Sequence, residues 1–294
     1  MCSTPDTINL LHRPWSFSNL VEVDAQRNHK LLESRIIFPC NELHTLKNLE
    51  KLSITDAYNS VIEEVFEVIE GTNDDVNIET QSVVVFEKLK KVTLSELDNL
   101  KHMWKSNRRI VLNFPNLTKV SIVGCKLLGQ VFSSCMVGSL LQLQELQISY
   151  CRNMDVIVKQ VEYSETRPTK EVVFPCLKSI TLHNLQNLKG FCLGKEAFQW
   201  PSLTALEIKD CPKITVFTNG QSTTPKLKLI DTTFGLCHIN VFSNKNFTLL
   251  SDLQLVVISY RDGSSRETSN SHLQFGCLLT LSIWVTEFLV STFK

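Results

Sequence analysis

From Phe17 to Cys211 the chain repeats one arrangement: an apolar anchor, apolar residues three, six and eight positions on, and a Cys, Asn or small apolar residue at eleven. The clearest copies are Phe114-Leu117-Val120-Ile122-Cys125, Leu140-Leu143-Leu146-Ile148-Cys151, Phe174-Leu177-Ile180-Leu182-Leu185 and Trp200-Leu203-Leu206-Ile208-Cys211. Phe86-Leu89-Val92-Leu94-Leu97 and Leu46-Leu49-Leu52-Ile54-Ala57 follow closely, Phe17-Leu20-Val23-Ala25-Asn28 is weaker, and Leu227, Ile230 and Thr232 form a degraded copy anchored at Thr224. Positions six and eight alternate with polar neighbours, as in LTKVSIVGC, so each copy predicts one short strand whose apolar side faces inward. Such a strand cannot bury that side alone. Stacking the copies builds a parallel sheet with a continuous inner ladder of Leu, Ile and Val.

Anchors from Phe17 to Trp200 are 29, 40, 28, 26, 34 and 26 residues apart, which brackets the period of about 20–29 of leucine-rich repeats and leaves two insertions. The predicted fold is an α/β leucine-rich-repeat solenoid, a horseshoe or arc. One short parallel strand per repeat lines its concave face, with short helical or irregular segments on the convex face. Apolar residues further on, Leu128 with Phe132, Leu188 with Phe191 and Ile214 with Phe217, return the chain over the core. The pairs Phe38-Pro39, Phe114-Pro115, Phe174-Pro175 and Trp200-Pro201 suit an extended approach to each repeat, since a residue before proline is steered away from the helical region. Position eleven lies where the chain leaves the strand, and Asn or Cys there can satisfy backbone groups of the turn.

The two long spacings predict exposed loops at the acidic run VIEEVFEVIEGTNDDVNIETQ (61–81) and at KQVEYSETRPTKE (159–171). The expected organisation is an N-terminal extension over 1–15, the repeat domain over 16–235, and degenerate repeats or a poorly ordered tail over 236–294. Within that tail Phe247-Leu250-Leu253-Leu255-Ile258 and Phe275-Leu278-Leu281-Ile283 still fit the template, around the polar stretch SYRDGSSRETSNSH.

Strand alternation also names an outward surface. If positions six and eight point inward, positions five, seven and nine point to the concave face in columns. The candidate partner-binding residues are Lys91, Thr93 and Ser95; Lys119, Ser121 and Val123; Glu145, Gln147 and Ser149; Ser179, Thr181 and His183; and Ala205, Glu207 and Lys209. Their mixed charge favours protein over nucleic acid. Lys+Arg and Asp+Glu both number 30, so no general electrostatic pull toward phosphate backbones or anionic membranes exists.

No other chemistry emerges. The seven histidines show no spacing that pairs a base with a nucleophile, and no Cys-x-x-Cys or His-Cys cluster has metal-ligand spacing. No enzyme activity, cofactor or metal is expected. The opening MCSTPDTINLLHRPWSF lacks a basic segment followed by an apolar one, so the ten cysteines read as reduced thiols, the compartment as cytoplasmic, and the sequons at Asn116 and Asn246 as chance matches. Phe275 to Phe293 is 19 residues with one charge, Glu287, but its glutamate, Thr280, Ser282 and Thr286 make it a poor membrane span.

The stretch FPNLTKVSIVGCKLLGQVFSSCMVGSLLQLQELQISYC, with LEKLSI, VIEEVFE, NLKHMWKSN and LKGFCLGKEAFQWPSLTALEIKDCPKITVFTNGQSTTPKLK in order, resembles the repeat region of plant coiled-coil nucleotide-binding leucine-rich-repeat disease-resistance proteins. The resemblance spans roughly residues 15 to 235. It implies a recognition module of an innate-immune receptor. Its partners would be a pathogen effector, an effector-modified host protein, or the nucleotide-binding segment of a receptor. The chain contains no GxxxxGK[ST] sequence, so the resemblance implies a fragment or truncated member without the nucleotide switch. A substrate-selecting subunit of a ubiquitin ligase is the alternative reading.

Overall fold

The structure, a computed structural model, describes residues 19–26, 34–55, 61–68, 82–104, 110–160, 171–233, 235–239 and 253–254. The chain divides into two compact units, 1–257 and 258–294, and all of these residues belong to the first. The tail copy anchored at Phe275, the polar stretch 259–272 and the apolar run 275–293 lie outside the described residues.

The alternating segments are strands, at offsets five to nine from their anchors. Glu22–Gln26, Lys51–Thr55, Lys91–Ser95, Lys119–Val123, Glu145–Ser149, Ser179–His183, Ala205–Lys209 and Leu229–Thr232 are successive parallel neighbours in one sheet. The register aligns like positions: Val92, Val120, Leu146, Ile180, Leu206 and Ile230 face one another in turn, as do Leu94, Ile122, Ile148, Leu182 and Ile208. None of these side chains is more than 6% exposed. Each contributes about 1.5–3 kcal/mol relative to exposure, so this ladder, more than the ion pairs on the opposite side of the sheet, holds the turns together.

The return side is built mostly of further short strands, with two 3-10 segments, Leu43–Asn48 and Val137–Ser139. Ile36–Phe38, Glu64–Phe66 and His102–Trp104 form one parallel sheet, and Phe132–Ser133, Val156–Lys159 and Gly190–Cys192 another. Just before the anchors, Ser82–Val85 pairs with Ile110–Asn113, and Glu171–Val173 pairs with Ala197–Gln199, which in turn pairs with Ser222–Thr223. A turn can therefore carry three strands. In the Leu140 turn the 3-10 segment Val137–Ser139 replaces the last of them, and Ser139 Oγ accepts the Phe114 N–H at 3.1 Å in place of a strand carbonyl.

This return side corrects one loop expectation. The acidic run is not an exposed loop over its first part: Ile62, Val65, Phe66 and Val68 are buried, and Glu64–Phe66 is a strand of the return side. The apolar residues set among the glutamates supply that strand. The remainder, 69–81, lies outside the described residues, as does 161–170 of the second insertion; its ends, Lys159 and Glu171, belong to strands.

Rings fill the space between the sheets. Phe38, Phe66, Trp104 and Phe132 form one column with successive centroid separations of 5.3, 6.1 and 5.7 Å, and Phe86 stacks on Phe114 at 4.9 Å. A second group comprises Phe174, Phe191, Phe198, Trp200 and Phe217. Between them the Leu140 turn is aliphatic, packed with Met136, Leu140, Leu143, Met154 and Ile157.

The five strands from Lys91–Ser95 to Ala205–Lys209 each leave the main sheet through a left-handed residue at offset ten: Glu96 (φ 55°), Gly124 (69°), Tyr150 (59°), Asn184 (53°) and Asp210 (54°). The conformation aims the backbone N–H at the next turn. Glu96 donates to Val123 O at 2.9 Å, Gly124 to Ser149 O at 2.9 Å, Tyr150 to His183 O at 3.0 Å and Asn184 to Lys209 O at 2.9 Å. One position later the cysteines turn inward and donate back to the strand, Cys151 Sγ to Ser149 O at 3.4 Å and Cys211 Sγ to Lys209 O at 3.3 Å. Cys125 Sγ lies 3.7 Å from Val123 O in the same arrangement.

The parallel stack ends in a reversal. After Leu229–Thr232 the chain turns at Gly235 (φ 116°), and Gly235–Ile239 pairs antiparallel with it. Leu253–Gln254 then pairs antiparallel with His238 and Ile239. The copy anchored at Phe247 thus adds no parallel strand to the ladder.

Candidate functional site

The outward side of the main sheet collects three columns of side chains from offsets five, seven and nine. Lys91, Lys119, Glu145, Ser179 and Ala205 are register partners in the first column. Thr93, Ser121, Gln147, Thr181 and Glu207 follow in the second, and Ser95, Val123, Ser149, His183 and Lys209 in the third. The fifteen residues singled out by alternation therefore share one face. Lys91, Glu145, Gln147 and Ala205 are exposed and most others are half-buried.

Ser149 departs from that expectation. It is only 4% exposed, because a small side chain between Val123 and His183 on the flanking strands is covered by them. It offers a partner almost no surface. Conversely, the Leu46 turn adds Lys51 and Thr55 to the same face, with Ser53 between them buried like Ser149, and the Thr224 turn adds Asp231 beside Glu207. The same offsets in those weaker copies carried the signal.

Charges on this face are organised in pairs, most of them across neighbouring strands. Lys51 Nζ meets Glu22 at 2.5 Å, and Lys119 Nζ meets Glu145 at 2.6 Å. Lys209 bridges Glu207 at 2.5 Å and Asp231 at 2.9 Å. His183 Nε2 lies 3.1 Å from Glu207 Oε1, outside hydrogen-bond alignment. The Lys119 hydrogen bond and charge hold the Glu145 carboxyl below its ordinary pKa, and those of Lys209 do the same, more than His183, for Glu207. The hydrogen bond to Glu22 raises Lys51, and those to Glu207 and Asp231 raise Lys209. These groups stay ionised at neutral pH, and half-exposed pairs of this kind fix side-chain direction more than they stabilise the fold.

The thiols behave oppositely. Contact with Cys151, reinforced by burial, pushes the Cys125 thiol well up, while burial first of all raises Cys192 to about 12 and Cys211 to about 11. Such thiols are protonated and poor nucleophiles. Among the described residues no group of three His, Cys, Asp or Glu is placed to hold a metal ion. None of their helices is long and apolar enough to cross a membrane.

A chain that stacks strand upon strand with Cys at the strand exits matches, over residues 8–152, the family described as plant disease resistance protein RPS2-like, leucine-rich repeats. The match covers just under half of the chain. No curated protein and no solved structure matches the chain. The resistance-type repeats include the Leu46, Phe86, Phe114 and Leu140 turns, and the next turns continue them without a break in register at Glu145–Ser149 against Ser179–His183.

Proposed function

We propose that this protein is a recognition module of plant innate immunity, cytoplasmic and acting by binding. Its outward sheet face engages a protein, either a pathogen effector, an effector-modified host protein, or the nucleotide-binding segment of a receptor. The observation that carries the reading is the face itself. Five successive strands present fourteen accessible side chains in aligned columns, and most are polar and of mixed charge. That composition suits a protein interface rather than a phosphate backbone. The resistance-type repeats supply the biological setting.

Co-precipitation of the full chain with candidate effectors, and with the nucleotide-binding segment of a related receptor, tests the proposal. Glu207→Lys and Asp231→Lys together reverse two face charges without touching the buried ladder, so they abolish capture while preserving the circular dichroism spectrum. Retention of no partner of either class by the native chain, or undiminished capture by the double variant, refutes the proposal.

A further inference from the structure

The outward face is electrically divided along the stacking direction. In the strands Lys51–Thr55, Lys91–Ser95 and Lys119–Val123 the outward positions are Lys51, Ser53, Thr55, Lys91, Thr93, Ser95, Lys119, Ser121 and Val123, with no carboxylate among them. The next strands carry Glu145, Glu207 and Asp231 against Lys209. Lys51, Lys91 and Lys119 are direct register partners. Neighbouring strands lie about 4.8 Å apart, which sets the three lysine Cα atoms within about 10 Å along one line.

The lysine column forms ion pairs only at its ends among the described residues, with Glu145 also within electrostatic reach of Lys91. Glu22 pairs with Lys51 from the strand before it, and Glu145 pairs with Lys119 from the strand after it. Lys91, exposed and between them, makes no ion pair among the described residues. Beside the lysines run Thr93 and Ser121, half-buried hydroxyls able to donate to an acceptor.

We infer that this part of the face receives an extended acidic segment of the partner protein, running across the strands along Lys51, Lys91 and Lys119 with a carboxylate on Lys91. The inference rests on the proposed recognition role and adds the chemistry of the partner. An extended chain advances about 3.3 Å per residue, so carboxylates on alternate residues recur every 6–7 Å. Two of them span the column, one on Lys91 and the next competing with Glu22 or Glu145 for an outer lysine. The hydroxyl column meets the carbonyls between them. In the cluster of His183, Glu207, Lys209 and Asp231 the one lysine is already held by two carboxylates, so it offers no such unfilled cation.

Fluorescence anisotropy of a labelled twelve-residue peptide of alternating Glu and Ser, titrated with the full chain, tests the inference. A peptide of alternating Lys and Ser serves as the sign control. The expected result is binding of the acidic peptide alone, weakened about tenfold or more by Lys91→Glu and strongly by added salt, because exposed charges are screened beyond a Debye length of about 8–10 Å. Lys189→Glu, an equal charge change on an exposed residue of the return side, leaves it unaltered. Lys91→Gln removes the cation without adding an anion and gives an intermediate loss, with circular dichroism verifying the fold of each variant.

Equal binding of the two peptides, or equal loss in Lys91→Glu and Lys189→Glu, overturns the inference. So does binding seen only after the serines are phosphorylated. Failure of the peptide while Glu207→Lys with Asp231→Lys still abolishes partner capture sinks the acidic-segment assignment alone. Loss of both sinks the recognition role as well.

Discussion

The left-handed residue at each strand exit makes a paired prediction of opposite sign at one structural position. Gly124 and Tyr150 occupy offset ten in adjacent turns, with φ of 69° and 59°. Gly124→Ala places a Cβ where only glycine is unstrained, costing about 1–2 kcal/mol. That Cβ would fall upon the Glu96 carboxylate, but this is the far end of a flexible side chain and swings aside, so conformation sets the cost. Tyr150→Gly relieves a strain of the same size, about 1–2 kcal/mol, less roughly 0.5–1 kcal/mol for the freedom glycine adds to the unfolded chain. Because Tyr150 is 56% exposed, little packing is lost, and its N–H still reaches His183 O. The net gain is about 0.5–1 kcal/mol. Urea unfolding followed by the fluorescence of the buried Trp104 and Trp200 reads both variants. A neutral Gly124→Ala, or a Tyr150→Gly that destabilises by about 1 kcal/mol or more, refutes the assignment of strain to this position.

Three further outcomes are expected. Leu146→Ala, in the centre of the ladder at 1% exposure, costs about 2–5 kcal/mol in the same unfolding assay, whereas Leu141→Ala, 46% exposed, stays within about 0.5 kcal/mol. Cys125, Cys192 and Cys211 resist iodoacetamide in the folded chain at pH 8 and react on unfolding, as mass spectrometry of tryptic peptides reads directly. Since the unfolded thiols release protons near 9 and the folded Cys211 and Cys192 hold theirs to about 11 and about 12, stability declines as pH rises through that interval, and Cys211→Ser flattens the decline. Glu145→Gln, breaking an exposed pair with Lys119, changes stability by no more than about 1 kcal/mol. Its small contribution is present above the ordinary carboxylate pKa and fades as pH falls through the depressed value in the folded chain.

The ladder was legible because its signal is redundant: one missing apolar residue leaves the same offsets to be read from the other turns. Outward columns followed from that alternation by geometry alone. The left-handed exits were not legible, since Glu96, Gly124, Tyr150, Asn184 and Asp210 share no chemistry, and only Gly, Asn and Asp favour that conformation. The return strands were hidden for a different reason. Segments of two to four residues such as Phe132–Ser133 and Glu64–Phe66 are too short to display a period, and the glutamates around Phe66 disguise a buried strand as a solvated loop. Ser149 shows the limit of alternation itself: direction can be read from the sequence, but exposure depends on the bulk of neighbours such as Val123 and His183 in other turns.

The reversal at Gly235 bears on how copies of this protein can meet. Parallel ladders space their hydrogen bonds evenly and on a slant, whereas antiparallel ladders alternate narrow and wide pairs. Among the described residues the first strand, Glu22–Gln26, offers a rim made for a parallel neighbour, while Gly235–Ile239 has changed direction before the opposite rim is reached. Leu229–Thr232, the last strand of the parallel series among the described residues, thus has both of its edges paired and leaves no open backbone to a second copy.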